Sequence, residues 1–477
     1  MGPRKRSLGG ADSSMVISID PQAIIGPVPA LRGVYLGDSP EPSRQEDVAR
    51  LQQEVGVTCI RFGVEPLSLS VEEEPVYHEA GFTYIQAVLD WCEKYGVACI
   101  LDLHNALGRL YGGAPRLWTE PYFQDRFLAL WETIARRFRN HPSVAAYELL
   151  NEPEPPNNDC AVWNDLHRRT AEAVRRINPY RTIVLDSVKY ANPHYFSGLE
   201  LSGDPNTVYS FHNYQPGPYH CQERRELKDQ STYYYPGFIP RKPPEDPQDL
   251  DLAHSGTADG RFWNRAQLIE EWQEPLAFRK RYNVPLFCGE FGCVSDVPEM
   301  TDLMYLMDEI SLLHEQGIHW TLYSAMYRTS DPHCQSHFDC CLYIDYSPES
   351  RLYRFGRKLD LIRFFCRTDG DVLELHQPDG EWVGVYGVRR LDGGLSILIS
   401  SKDRRAEKQV TLSVRGLPGR WTGTLQAMEK GDDGFVSRPR LECIAGRADL
   451  HLPPLSLVLV TIPAPADRLW RGRECSL

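Results

Sequence analysis

No apolar run in the 477-residue chain reaches the roughly 18 residues that a membrane-spanning helix requires. Positive charge is also short. Lys and Arg number 52 against 65 Asp and Glu, a net charge of −13, which excludes general affinity for nucleic acid or an anionic membrane, because both need a basic surface. The first residues, MGPRKRSLGGADSS, start basic but have no apolar stretch behind them. They read as a solvated tail and not as an intact secretion signal. No GxGxxG or P-loop pattern is present, which removes the usual cradles for dinucleotides and nucleotide phosphates. The 13 cysteines lack the layout of a disulfide scaffold. Cys59 in VTCIRF, Cys99 in VACILDLH and Cys288 in LFCGEFG lie inside apolar runs, where Cys serves as a small buried residue, and the odd total fits a reducing compartment. A cytoplasmic location is the expectation, with secretion as the alternative if a signal has been removed ahead of the tail.

The length allows two or three domains, or one large barrel plus a smaller module. With 42% hydrophobic residues the chain can bury a substantial core. From about Leu31 to Phe365 helical and strand periods alternate. In QEDVARLQQEVGVTCIRFGV, Val48, Leu51 and Val55 recur at helical spacing, Gly56 stops the helix, and a β-rich run follows. The same grammar returns around Gly96 and Gly317. Eight apolar strand candidates result: 32–37, 58–63, 98–104, 145–151, 182–187, 208–214, 285–292 and 318–324. Strands buried on both faces and joined by helices predict a parallel α/β sheet, and eight units predict a closed (β/α)8 TIM barrel over 31–366. A doubly wound open sheet is the competing fold, disfavoured because no Gly-rich loop follows the first strand. Residues 1–30 are read as an N-terminal tail and lead-in. Residues 371–465, with strand-like runs separated by DGG, LPG, GDDG and PP turns, are read as a C-terminal antiparallel β-sandwich, and 466–477 as a tail. Residues 215–262 and 328–350 interrupt the rhythm and read as surface loops with a functional purpose.

In such barrels chemistry gathers where strands end at their C-terminal side. Arg61 stands near the end of strand two, His104-Asn105 at strand three, Asn151-Glu152 at strand four, His212-Asn213-Tyr214 at strand six, Glu290 at strand seven and Tyr323 at strand eight. Glu152 and Glu290 come from walls three strands apart. Across a barrel mouth two carboxyl groups can approach to the roughly 5–5.5 Å that double-displacement cleavage of a glycosidic bond needs, one donating a proton and one attacking the anomeric carbon. Two identical side chains divide these tasks only if their surroundings separate their protonation. Arg61 and Tyr214 are expected beside Glu290, favouring its ionised form, and Asn151 beside Glu152. Each residue alone has an ordinary reading: a rim carboxylate, an ion-pair arginine, a core imidazole, a packing tyrosine. Their joint placement at six strand ends is what points to a site.

On these residues the chain resembles a family 5 glycoside hydrolase, the cellulase family, within the clan of barrel glycosidases. The motifs are IRFGV around Arg61, LDLHN around His104, YELLNEP around Glu152, FHNY around His212 and Tyr214, and CGEFG around Glu290. The resemblance implies Glu152 as acid/base and Glu290 as nucleophile. Arg61, His104, Asn151, His212 and Tyr214 would line the subsite for the attacked sugar, with Asn105 also at that rim. Family members usually carry a Trp platform late in strand eight. Here that position is Tyr323, and Trp320, three residues earlier, points to the other face of the strand. The β module is similar to those appended to several clan members, including glycolipid-cleaving ones.

The segment DPHCQSHFDCC, 331–341, gathers His333, Cys334, His337, Asp339, Cys340 and Cys341. Its spacing matches no standard zinc finger, so it reads as an ordinary loop, and neither metal nor cofactor is expected. The expectation is therefore a two-domain retaining β-glycosidase whose partner is an oligo- or polysaccharide such as a β-linked glucan. A glycolipid-directed enzyme of the glucosylceramidase or endoglycoceramidase kind is the alternative. A non-catalytic saccharide-binding protein is disfavoured by the presence of both glutamates.

Overall fold

The computed structural model describes residues 15–37, 39–70, 74–105, 108, 116–220, 233–239, 261–293, 297–329, 340–346, 351–377, 381–417 and 419–464. They fall into two compact units: residues 27–369, and the N-terminal residues up to 26 together with those from 370 onward.

In the first unit eight parallel strands close into a barrel. In chain order they are Arg32–Leu36, Cys59–Val64, Ala98–Leu103, Val144–Glu148, Thr182–Asp186, Thr207–Asn213, Leu286–Phe291 and His319–Leu322, here strands one to eight. Each pairs in parallel with the next, and strand eight with strand one. This is the (β/α)8 barrel that the apolar runs predict. The runs are continuous because both faces are covered: every residue of strands one and seven is buried.

The helices between the strands follow their apolar stripes. Pro121–Phe138 buries Phe123, Phe127, Leu130, Ile134 and Phe138. Gly96 and Gly317 end their helices with φ of 67° and 62°, the left-handed conformation that glycine adopts without penalty. The first helix departs from expectation. It is α-helical over Gln45–Arg50 and widens into a π-turn over Leu51–Val55, where the N–H of Gly56 reaches back five residues to the carbonyl of Leu51 at 3.0 Å.

Alternation along the strands fills the barrel interior in layers. Ile100, Ala146, Val184 and Phe287 form an apolar plug. Two residues further along strands three, four and five, the same inward face carries Asp102, Glu148 and Asp186, all fully buried. Strand seven breaks the pattern, since its register against strand six shifts between Cys288 and Glu290. With Phe287 pointing inward, strict alternation would send Glu290 outward. The irregularity turns it into the charged layer, a common use of bulges beside active sites.

Helix Thr301–Glu315, which follows strand seven, is buried from Thr301 through His314. Part of the 215–262 insertion covers it: the Tyr235 hydroxyl donates to Asp308 at 2.7 Å, and Gly237–Ile239 pairs with Arg261–Trp263. Tyr235 also packs beside Tyr219 and Tyr305. Residues 221–232 and 240–260 of that insertion, and His333, Cys334, His337 and Asp339, lie outside the described residues.

The second unit holds the antiparallel strands expected after the barrel, and hydrogen bonding joins them into one continuous ten-strand sheet. Met15–Ile19 and Ile24–Pro27, which the sequence reading leaves in the lead-in, form its two edges, and Met15–Ile19 pairs in parallel with Lys408–Val414. From Lys408–Val414 to Gly370–Leu373 the pairings are antiparallel. Inward residues from both ends of the sheet, Ile17 and Ile19 with Val383 and Val385, share one core. Among the described residues no helix is long and apolar enough to cross a membrane.

Candidate active site

Arg61 is the hub of the charged layer. Its Nε and Nη2 each hold an oxygen of Glu148 at 2.8 Å, and its Nη1 donates to Oε1 of Glu290 at 2.6 Å. Nη2 also lies 2.7 Å from Oδ1 of Asn151 and 3.2 Å from Asp102. A planar guanidinium with a fixed fork of donors suits such a cluster, where a lysine would act as a point charge. Burial alone would lower the pKa of Arg61, but Asp102, Glu148 and Glu290 raise it well above its ordinary value. The positive charge is therefore permanent.

Glu290 receives a second donor, the Tyr214 hydroxyl at 2.9 Å. Glu152 follows strand four in a turn with φ of 48°, a left-handed conformation rare for a residue with a side chain. Its own N–H donates to Oδ2 of Asp186 at 3.0 Å, which ties the turn to strand five. Strained backbone of this sort persists where surrounding contacts over-determine it, and functional sites are where it gathers. Nδ1 of His212 lies 2.9 Å from Oε1 of Glu152 and 3.8 Å from Oε2 of Glu290. One oxygen from each glutamate and a ring nitrogen of His212 all lie within 4.8 Å of one another.

Burial alone would push the imidazole of His212 down, but the carboxylates of Glu290, Asp186 and Glu152 carry it up to about 9. His212 is thus a cation at neutral pH. Burial, reinforced by Glu148, raises Asp186 to about 7, and burial raises Asp102 to about 6 against the pull of Arg61. Burial and the charge of Glu290 keep Tyr214 well above the usual phenol range, so it remains a donor.

The structure brings most residues singled out in the sequence to one place: Arg61, His104, Asn151, Glu152, His212, Tyr214 and Glu290. His104 Nδ1 lies 2.7 Å from Asp102, and its Nε2 faces the Asn151 amide at 3.5 Å. Asn105 donates to Glu65, one residue past strand two, at 2.7 Å. Tyr323 lies just past strand eight, its ring stacked on Tyr35 at 5.2 Å and edge-on to Tyr214 at 6.4 Å. Trp320 is fully buried on the other face, against Phe291 and His314.

Sequence reasoning missed Asp102, Glu148, Asp186 and Tyr35. Each of the three acids had a signal: it is a carboxylate inside an apolar strand (LDLH, YELLN, IVLDS), in phase with an inward residue. Tyr35, whose face lies 5.4 Å from the Arg61 guanidinium, had none. Two carboxylate–imidazole groups of the site, Glu148–Asp186–His212 and Glu152–His212–Glu290, have three potential ligand atoms close enough for a metal ion. Arg61, His212 and Tyr214 already supply donors to these oxygens, so the donor set fits a hydrogen-bonded site better than a metal centre.

The profile of the cellulase family, glycosyl hydrolase family 5, matches residues 26–328. Endoglucanase C of Acetivibrio thermocellus is 28% identical over 279 residues, covering 56% of this chain and 79% of its own. Cellodextrinase A of Ruminococcus flavefaciens is 26% identical over 243 residues, covering 50% of this chain and 66% of its own. Among solved structures, cellulose synthase subunit Z of Clostridioides difficile superposes with a TM-score of 0.53 at 18% identity, covering 71% of this chain and 99% of its own. The last shares the barrel fold.

Proposed function

The chain belongs to glycosyl hydrolase family 5 and is an O-glycosyl hydrolase, and from that premise we propose that it cleaves β-linked glucans by double displacement, with retention of configuration. The observation that carries this reading is the close approach of Glu152 and Glu290, whose nearer oxygens and the His212 nitrogen lie within 4.8 Å of one another. Retaining glycosidases hold their carboxyl groups about 5–5.5 Å apart, while inverting ones leave about 6.5–9.5 Å for a water molecule. The β-glucan substrate is supported by the relatives, named as an endoglucanase and a cellodextrinase.

Glu290 is the nucleophile in this account. Donors from Arg61 and Tyr214 favour its ionised form. It attacks the anomeric carbon, and the glycosidic oxygen leaves with a proton from Glu152. The bond formed is the glycosyl ester to Glu290, and the bond broken is the glycosidic C–O bond. Glu152, now ionised, then takes a proton from water as that water attacks the same carbon and releases Glu290. His212 holds one oxygen of Glu152, which leaves the other to carry the proton. Asn151 and His104, braced by Arg61 and Asp102, present an amide and an imidazole to the sugar hydroxyls, and Tyr323 offers an aromatic face to the ring.

The test is the stereochemistry of the first product. Proton NMR of a fresh digest of a β-glucan oligosaccharide should show the β-anomer first, with the α-anomer appearing later by mutarotation. Initial α-anomer refutes the double displacement. A parallel panel of β-glucans, mannans and glucosylceramide fixes the substrate class, with turnover of glucosylceramide alone contradicting the glucan assignment.

A further inference from the structure

Strand six delivers two inward residues, His212 and Tyr214, to the glutamates. Asn213 between them must face outward, toward the helix layer. Outward positions of a barrel strand are ordinarily apolar, yet the Asn213 amide is fully buried and donates from Nδ2 to Oε1 of Glu309 at 2.7 Å. Glu309 sits on helix Thr301–Glu315 and is itself fully buried. Its surroundings hold no cation among the groups that act on it. Cys288 of strand seven lies within its field, Tyr305 and Asp308 flank it on its own helix, and Tyr235 stands on the covering segment. A buried acid that meets only neutral donors, the Asn213 amide and the Tyr305 phenol, is an expensive way to join a helix to a strand. An apolar pair of similar volume would hold the two at least as well. What the polar pair adds is specificity, because it can form in one register alone. A slip of strand six by one residue would send Asn213 inward and His212 and Tyr214 out.

We propose that Glu309 is a positioning residue: its hydrogen bond to Asn213 locks strand six in register and so aims His212 and Tyr214 at Glu152 and Glu290. Burial raises the carboxyl of Glu309 to about 8, so at neutral pH it is an uncharged group that Gln can imitate. The inference rests on the reading of His212 and Tyr214 as parts of the active site.

The test uses the full chain with p-nitrophenyl β-cellobioside and a soluble β-glucan. Glu309→Leu should lower kcat by about tenfold to a hundredfold, the scale seen when outer partners of metal-binding side chains are removed, with KM little changed. Glu309→Gln should keep near wild-type kcat. Asn213→Leu should match Glu309→Leu, and the double variant should be no worse than either, since one bond is being removed twice. The His212 ring resonances of ¹⁵N-histidine-labelled protein should shift in Glu309→Leu and not in Glu309→Gln, which general loss of stability would not produce. If Glu309→Leu does not fold, Asn213→Leu carries the same comparison. Wild-type kcat in Glu309→Leu or Asn213→Leu, alongside a slow Tyr214→Phe, overturns the positioning role while leaving the site intact. Wild-type kcat in Tyr214→Phe overturns the site reading, and this inference falls with it.

Discussion

Nη1 of Arg61 donates to Oε1 of Glu290 at 2.6 Å in a site where Arg61 is fully buried and Glu290 nearly so. The same guanidinium grips Glu148 with two further bonds, so the nucleophile candidate is clamped to the barrel wall through a single cation. Removing that cation does two things at once. It frees Glu290, and it leaves Glu148 and Asp102 as buried charges without their partner.

Arg61→Ala should therefore lose both activity and stability. Breaking one side of a buried ion pair costs about 3–5 kcal/mol, which denaturant unfolding would read directly. Arg61→Lys should restore part of the stability and little of the activity, because one ammonium cannot span Glu148 and Glu290 with the geometry of a fork. Wild-type turnover in the lysine variant would contradict the clamp.

His212 supplies a pH signature. Its pKa is raised from the ordinary 6.5 to about 9, so the folded state holds a proton that the unfolded chain releases. Its pairing contributes stability that is complete below about 6.5 and lost as pH rises through about 9. Asp186, raised from 3.8 to about 7, gives a slope of the same sign between those values. Melting temperature should fall from neutral pH toward 9, and NMR titration of His212 should show a midpoint well above 6.5. In Asp186→Asn the midpoint should drop, since one of the three carboxylates holding the proton is gone. A midpoint near 6.5 in the wild type would contradict the assignment.

Gly289 of strand seven lies against His212 and Ser210 of strand six. A Cβ there would stand 2.7 Å from Nε2 of His212 and 3.0 Å from Oγ of Ser210. His212 is buried and fixed between carboxylates, so it cannot swing aside cheaply. Gly289→Ala should cost about 1–3 kcal/mol of stability by overpacking, and should reduce kcat more than it raises KM because the displaced imidazole contacts Glu152. Unchanged kinetics would mean that the imidazole has room the structure does not indicate.

The fold was legible because a barrel of this type writes itself as apolar runs separated by helices, and both features survive in the sequence as periodicity. The site was legible at strand ends, where Arg61, His104, Glu152, His212 and Glu290 break those runs with polar groups. Less visible was the layer beneath. Asp102, Glu148 and Asp186 lie inside strands, where one acid in an apolar run resembles noise until the inward phase is known. Glu290 is the sharper case. Its inward aim depends on the register shift after Cys288, which no alternation rule anticipates. The ten-strand sheet took its edges from residues 15–27, whose short runs carry no signal of a partner almost 400 residues away.

The covalent step on Glu290 is the centre of the account, and trapping it is the most direct test. A 2-deoxy-2-fluoro β-cellobioside with an activated leaving group slows release of the glycosyl ester more than its formation, so the intermediate accumulates. Proteolysis and mass spectrometry of the treated protein should find the fluoroglycosyl mass on the peptide containing Glu290, with inactivation that reverses on transfer to an acceptor sugar. A label on Glu152 instead, or continued turnover with no labelled peptide, would contradict it.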